Sequence, residues 1–503
     1  MHGFKLIFLL VLMSAWSSTV LKAQQHRLLT YSGNKGESKV LHHPKEWQLK
    51  RVQILAAMQS VTGSLPNRTN LPQLQIQYTD SAKGDGYTRY NIRFDAAEKE
   101  VVAAYLYVPD QAGIPKKLPA MLALHPTGDL GKKIVDGQGD LSNRAYAKEL
   151  AKRGYVVIAP DYPSFGDVKD YDFKTDRYQS GTMKAIFDNM RCVDLLQGRS
   201  DVDTSRIGVI GHSLGGHNAI FTAAFDPRLN VVVSSCGWTL LHDYFNGDSA
   251  SAGKYGGNLW PWAQERYMPL MREKYHLDPD KIPFDFDEII AAIAPRAFFS
   301  NSPVNDANFN ADGVKKGIAN LATAYHFLNV PQNLQVRYPN SGHDFPFQTR
   351  WQAYHFIDSV FGRTRKKEAG YDYQDNPQYF KRLELFAGEK GKKDIVMLGN
   401  SLTERGQWDE ILGRTDVANR GIGSDVTEGY INRMNYVFNL QPKICFIEGG
   451  VNDLGRSIPQ EIIINNLAIL IDTLRDSGIT PVLNTVTYVA ANYQAFEPKA
   501  FNH

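Results

Sequence analysis

The stretch Arg206-Ile-Gly-Val-Ile-Gly-His-Ser-Leu-Gly-Gly-His217 holds a serine whose surroundings suit a nucleophile. Ile207 to Ile210 is an apolar run fit for a buried strand, Gly211-His-Ser-Leu-Gly215 is G-x-S-x-G, and His217 onward reads as a helix start. A sharp turn between strand and helix strains the serine backbone, and small residues two positions to either side let the two elements close behind it. Ser213 Oγ is then pushed out at the sheet edge. The plainer reading is a glycine-lined turn with an idle serine, and the flanking strand and helix weigh against it.

A serine hydroxyl at neutral pH needs a base to take its proton, and the base needs an acid to orient it. For this kind of turn the expected chain order is nucleophile, acid, histidine. Of thirteen histidines, His343 in Asn340-Ser-Gly-His-Asp-Phe345 is the best placed, because it follows the last strand of the region and can swing over the turn. Asp306, in Ser302-Pro-Val-Asn-Asp-Ala-Asn-Phe309, follows the penultimate strand and is the expected acid; Asp312, further from the strand end, is its rival. An oxyanion would be held by backbone N–H groups, one on Leu214 directly after the nucleophile. The second should lie in Leu124-His-Pro-Thr-Gly128: Pro126 has no N–H, which leaves Thr127 with Gly128 behind it. His125 reads as a brace for that loop. His212 and His217, five apart, would point about 140° away from each other on a helix and lack a Cys or acidic cluster, so no metal or other cofactor is assigned.

Side chains up to 130 positions apart converge only if regular elements carry them to one edge. Glu46 to Met58 reads as a helix, and Tyr87 to Val108 as an antiparallel hairpin around Ala96-Ala97-Glu98. Ala120–Leu124, Tyr155–Ala159, Leu229–Ser235, Ala297–Ser300 and Leu334–Tyr338 read as strands, with helices over Ala145–Arg153 and Gly181–Gln197. Strands alternating with helices predict an α/β fold, a mostly parallel sheet with helices on both faces. Between Cys236 and Pro295 an insertion of about sixty residues carries Trp238, Tyr244, Trp260, Trp262, Tyr267, Phe284 and Phe286. It reads as a cap over 237–294 that lines a cleft, or as a satellite core whose aromatics pack only on each other.

Length and composition bound the remainder. With 503 residues, 43% hydrophobic and 22% charged, the chain suffices for two domains with cores of their own. A net charge of +3 with no dense Lys/Arg stripe beyond Arg363 to Lys367 gives no sign of a polyanion-binding surface, so nucleic acid is a poor candidate partner. Met1 to Ser14 has an early lysine followed by a short apolar run, and Leu21-Lys-Ala23 offers a cleavage point: a signal peptide over 1–23 and a secreted or periplasmic protein are expected. No stretch reaches membrane-spanning length. Cys192, Cys236 and Cys445 sit in or beside apolar runs and read as buried free thiols.

Leu122-Ala-Leu-His-Pro-Thr127, Gly154-Tyr-Val-Val-Ile-Ala-Pro-Asp-Tyr162, Gly211-His-Ser-Leu-Gly-Gly216 and Gly342-His-Asp-Phe345 together make residues 24–362 resemble the α/β-hydrolase superfamily, in its dienelactone hydrolase and acetyl xylan esterase-like branch. The resemblance implies a cofactor-free serine ester hydrolase working through Ser213, His343 and an acyl-enzyme. The same superfamily contains peptidases of the prolyl oligopeptidase type, though no propeller repeat precedes this region.

After a charged linker over 363–380, a second alternating unit begins at 381. Its strands read as Asp394–Leu398, Asp416–Asn419, Ile444–Glu448 and Pro481–Val486, with helices Glu428–Val437 and Ile458–Leu474. Ser401 in Val396-Met-Leu-Gly-Asn-Ser-Leu-Thr-Glu404 follows the first strand. With Asn419-Arg-Gly-Ile-Gly-Ser-Asp425 and Gly450-Val-Asn-Asp453, this block resembles the first three blocks of the SGNH (GDSL-type) hydrolases, which have a three-layer α/β fold. The resemblance implies Ser401 as nucleophile, with the Ser424 N–H and the Asn452 side chain at the oxyanion. Asn400 stands where the family has aspartate and Ser424 where it has glycine. The family's base comes from a late Asp-x-x-His block, yet after His355 the only histidine is His503, without an aspartate three residues before it. The 381–503 unit is therefore expected to be C-terminally incomplete, either truncated or retained for binding.

The sequence thus predicts a secreted ester hydrolase acting on small-molecule or polysaccharide esters. The alternatives are a serine peptidase and a non-catalytic carbohydrate-binding protein with relic sites. A serine-directed probe is expected to label Ser213 well before Ser401, as read by peptide mass spectrometry; equal rates would contradict the assignment of the second unit as lacking a base.

Overall fold

Apolar runs without polar interruption need cover on both faces, and in this chain they receive it. The structure is a computed structural model describing residues 27–484 apart from 34, 85, 111–116, 141, 245–252, 255, 364–372, 374, 375, 390, 457 and 459. The expected signal peptide, much of the linker and His503 lie outside the described residues. The chain divides into two units, Met1–Gly362 and Arg363–His503.

In the first unit, β1 (Thr30–Ser32) and β2 (Ser38–Val40) form a small hairpin ahead of the helix Trp47–Thr62. Nine strands then build one sheet: β3 (Gln77–Lys83), β4 (Tyr87–Ala97), β5 (Glu100–Pro109), β6 (Leu118–Leu124), β7 (Val156–Pro160), β8 (Val202–His212), β9 (Val231–Ser235), β10 (Ala297–Asn301) and β11 (Leu334–Arg337). Their order is β11-β10-β9-β8-β6-β7-β5-β4-β3. The six strands from β6 to β11 run parallel, and β5, β4 and β3 continue the sheet antiparallel. Alternate residues feed opposite cores: Leu122, Val209 and Val232 on one face, Met121, Ile210 and Val233 on the other. Strand β3 is absent from the sequence reading because Gln77-Tyr-Thr-Asp-Ser-Ala-Lys83 has no apolar alternation. It is an exposed edge strand whose charges discourage further pairing.

Register sets the site. His212 pairs with Ser235, and Ser235 with Asn301, so β8, β9 and β10 end in line. Ser213, Cys236 and the loop from Ser302 leave the sheet at the same edge. The helix after β8 runs Leu214–Phe225 and starts three residues before the expected His217, because Ser213 alone makes the turn. The insertion after β9 joins the main core: Trp238, Tyr244, Trp262, Tyr267, Phe284 and Phe286 are buried in one cluster with Leu122, Val209 and Leu214. This rules out a separate satellite core.

The second unit is a four-stranded parallel sheet in the order β13-β12-β14-β15, from β12 (Ile395–Gly399), β13 (Val417–Gly421), β14 (Ile444–Ile447) and β15 (Thr480–Leu483). A helix over Tyr379–Gly388 begins inside the stretch read as linker, with Tyr379 buried against Phe386 and Ile422. The single helix expected over Glu428–Val437 is two, Thr427–Asn432 and Asn435–Phe438. The break falls at Arg433, whose guanidinium is buried. It meets the Asp425 carboxylate at 2.9 Å and donates to Arg420 O and Gly399 O, fastening the ends of β12 and β13. Burial pushes Asp425 up to about 6 in spite of the arginine. Removing the cation strands a buried acid, so Arg433→Met is expected to cost the second unit about 3–5 kcal/mol. Denaturant unfolding should show that unit's transition shifted and the first unit's unmoved; an unshifted transition would contradict the role given to the pair.

Candidate active site

The turn after β8 owes its shape to three close approaches. A Cβ on Gly211 would lie 2.1 Å from Gly215 O, one on Gly215 2.0 Å from Leu124 O, and one on Gly216 2.7 Å from Ser235 O. No side chain fits at those distances, so glycine is required for the helix to pack onto the ends of β6 and β9. Ser213 sits at φ 55°, ψ −120°, a conformation rare for a residue with a side chain, and its N–H donates to Ser235 O at 2.8 Å.

Above it, His343 Nε2 lies 2.9 Å from Ser213 Oγ, and His343 Nδ1 lies 2.9 Å from Asp306 Oδ2. The other oxygen of Asp306 accepts the N–H groups of Asn308 and Phe309. Burial alone would raise this carboxyl. The hydrogen bond and charge of His343, with those two N–H groups, outweigh it and hold Asp306 below its ordinary 3.8. Asp306 is therefore ionised above that pH, and its hold on the imidazole weakens only as pH falls through the lowered value. Asp312 points elsewhere: it is exposed at the head of the helix Ala311–Phe327 and pairs with Lys315.

His212 is the last residue of β8, so helical spacing does not relate it to His217. It is buried, bonds Ser235 Oγ through Nδ1 at 2.9 Å, and its ring lies 4.9 Å from that of His343. Burial first, then Arg144 and His343, press it well below the usual histidine range and keep it neutral. His217 lies flat between Phe221 and Trp262, with centroids 4.2 Å away on each side, and burial lowers it to about 3. It thus serves as an aromatic plate joining the cap to the helix behind the serine.

The loop after β6 is braced as its sequence suggests. Tyr162 N–H donates to His125 Nε2, which leaves the ring proton on Nδ1 to donate to Pro126 O. Thr127 Oγ1 is 3.3 Å from Tyr267 Oη of the cap. Among the described residues, the N–H groups of Leu214 and Thr127 have no hydrogen-bond acceptor. Phe309, itself buried, stacks on His343 at 5.8 Å and meets the buried Trp262 at 6.1 Å.

Several residues that hold His343 carry no motif. Arg144 donates to His343 O and Asp344 Oδ1, and Asn143 to Asp344 Oδ2. Asn301 Nδ2 and Cys236 Sγ both donate to Asp344 O. Polar residues that close apolar strand runs, as Asn301 and Ser235 do, offered a signal for part of this clamp; Arg144 offered none.

In the second unit Ser401 opens the helix Ser401–Arg405 after β12. Asn400 caps that helix through Oδ1 and donates Nδ2 to Glu448 Oε1 at 2.9 Å. A Cβ on Gly423 would lie 4.0 Å from Ser401 Cβ, and Ser424 follows at φ 62°. Asn452 Nδ2 donates to Asp425 O, tying the loop after β14 to that after β13. The three blocks expected to share a site therefore stand at adjoining strand ends.

Two family models match the chain: "Glucuronyl esterase, fungi" over residues 169–326 and "GDSL-like Lipase/Acylhydrolase family" over 397–502. The Bacillus subtilis (strain 168) protein named "Putative hydrolase YtaP" is 31% identical over 307 residues, which span 59% of this chain and 94% of that one. "Carbohydrate esterase MZ0003", from an unknown prokaryotic organism, is 27% identical over 191 residues, 34% of this chain and 41% of that one. Among solved structures, a glucuronoyl esterase from Solibacter usitatus shares the fold with a TM-score of 0.53 at 21% identity, covering 67% of this chain and 98% of that one. The chain belongs to the α/β-hydrolase superfamily, in one family with YtaP, carries a stretch over 397–502 similar to the GDSL-like family, and is a carboxylic ester hydrolase.

Proposed function

We propose that the first unit cleaves acyl or methyl esters of carbohydrates outside the cytoplasm, with Ser213 as nucleophile, His343 as base and Asp306 as the acid that orients it. The observation that carries this reading is the single imidazole held at 2.9 Å from both the serine and the aspartate. Ser213 Oγ attacks the ester carbonyl carbon and its proton passes to His343 Nε2. The N–H groups of Leu214 and Thr127 receive the resulting oxyanion. Collapse breaks the C–O bond to the alcohol, which leaves with the proton from His343, and an acyl-enzyme remains. Water then attacks, gives its proton to His343, and the acid departs as that proton returns to Ser213.

The carbohydrate part draws on the names of the relatives. Among the described residues no helix is long and apolar enough to cross a membrane. In the second unit Ser401 has the strand-end placement of a nucleophile but no histidine within the described residues.

Release of acetate, methanol or a sugar acid from a panel of acetylated and uronate-esterified polysaccharides tests the reading, beside an aminoacyl-nitroanilide panel. Ester turnover abolished by Ser213→Ala is expected, with no nitroanilide cleavage; the converse pattern would favour a peptidase. Asp306→Asn keeps the shape but withdraws the charge that selects the imidazole tautomer, and should lower kcat by on the order of 10⁴. A loss under tenfold would remove Asp306 from the mechanism.

A further inference from the structure

Cys236 is the first residue beyond β9, at φ 48°, with its thiol turned under the loop that carries His343. Its sulfur, a carboxylate oxygen of Asp306 and a ring nitrogen of His343 all lie within 4.8 Å of one another. We propose that these three side chains form a binding site for a thiophilic divalent cation such as Zn²⁺, and that filling it silences Ser213.

The donor set is one that zinc takes: thiolate, imidazole and carboxylate, at about 2.0–2.3 Å from the metal. Donors around one tetrahedral ion stand roughly 3–4 Å apart, so side chains already within 4.8 Å of one another need only a small approach to share it. Among the described residues this is the one such group of three, and neither Cys192 nor Cys445 belongs to it. Cys236 and Asp306 are buried, while the His343 side chain is 28% exposed and offers the way in. Burial and the neighbouring Asp306 keep the thiol protonated at rest, so the metal must displace that proton.

The binding step balances. The thiol releases one proton to solvent as the sulfur–metal bond forms, and the thiolate and Asp306 together neutralise the two positive charges. His343 stays neutral, but its proton moves from the nitrogen facing Asp306 to Nε2 as the metal takes that nitrogen's lone pair. Nε2 then carries a hydrogen and can no longer accept the one on Ser213. The inhibition rests on the proposed esterase mechanism; the binding does not.

Two readouts on the full chain separate these. Zn²⁺ is titrated against ester hydrolysis, and Cd²⁺ binding is followed by the ultraviolet cadmium–thiolate band, for the wild type, Cys236→Ala, Cys236→Ser, His343→Ala and the control Cys192→Ala. The expected result is inhibition reversed by a chelator, with the apparent zinc affinity falling on the order of 100-fold in Cys236→Ala. The cadmium band should be present in the wild type and Cys192→Ala and absent from both Cys236 variants. His343→Ala should shift its midpoint to about tenfold higher Cd²⁺. Equal zinc inhibition of wild type and Cys236→Ala, or a cadmium band that survives Cys236→Ser, would overturn the site. The band reads binding even without measurable turnover, so failure of the ester-hydrolysis reading would not pass for failure of the site.

Discussion

Backbone strain at Ser213 is the constraint the first unit is built around. A non-glycine residue at φ 55° costs on the order of 1–3 kcal/mol and persists only where its surroundings leave it no alternative. Here they leave none: the strand before it is locked between β6 and β9, and the helix after it is pressed onto both at distances that only glycine permits. The same compression sets the first helical N–H beside the loop braced by His125. The geometry proposed for catalysis and the tight packing are thus one feature, and loosening the helix would spoil both.

The imidazole is fixed by a different means. His343 lies on a loop, where the backbone by itself imposes little, and is held from below by Arg144, Asn301 and Cys236 and from the side by Asp306. Electrostatics completes the hold. The carboxylate is kept ionised and the adjacent His212 neutral, so the full charge bonded to the ring faces Nδ1. That charge sets the proton on Nδ1 and leaves Nε2 free to accept.

How much of this the sequence discloses depends on how local each signal is. The serine turn is a five-residue pattern with a strand on one side and a helix on the other, so it is legible directly. His343 and Asp306 are legible because the order of elements predicts which strand ends they follow. The clamp is not: Arg144 reaches its partners across about two hundred positions, and nothing near it marks it out. Strand β3 stays hidden since an exposed edge needs no apolar alternation. The break at Arg433 is invisible since local helix preference runs through it, and only the buried contacts with Asp425 and two carbonyls interrupt it. The strand-end placement of the second unit's three blocks is legible in the sequence, whereas Glu448, bonded to Asn400 beside Ser401, emerges only from the folded chain.

The most direct test is whether Ser213 and His343 act as one device. Ser213→Ala, His343→Ala and the double variant are compared for kcat at saturating ester. Residues that work as a unit give losses that do not multiply, so the double variant should be no slower than the worse single variant. Losses that multiply would contradict a shared proton transfer, and with it the assignment of the hydrolytic site to this turn.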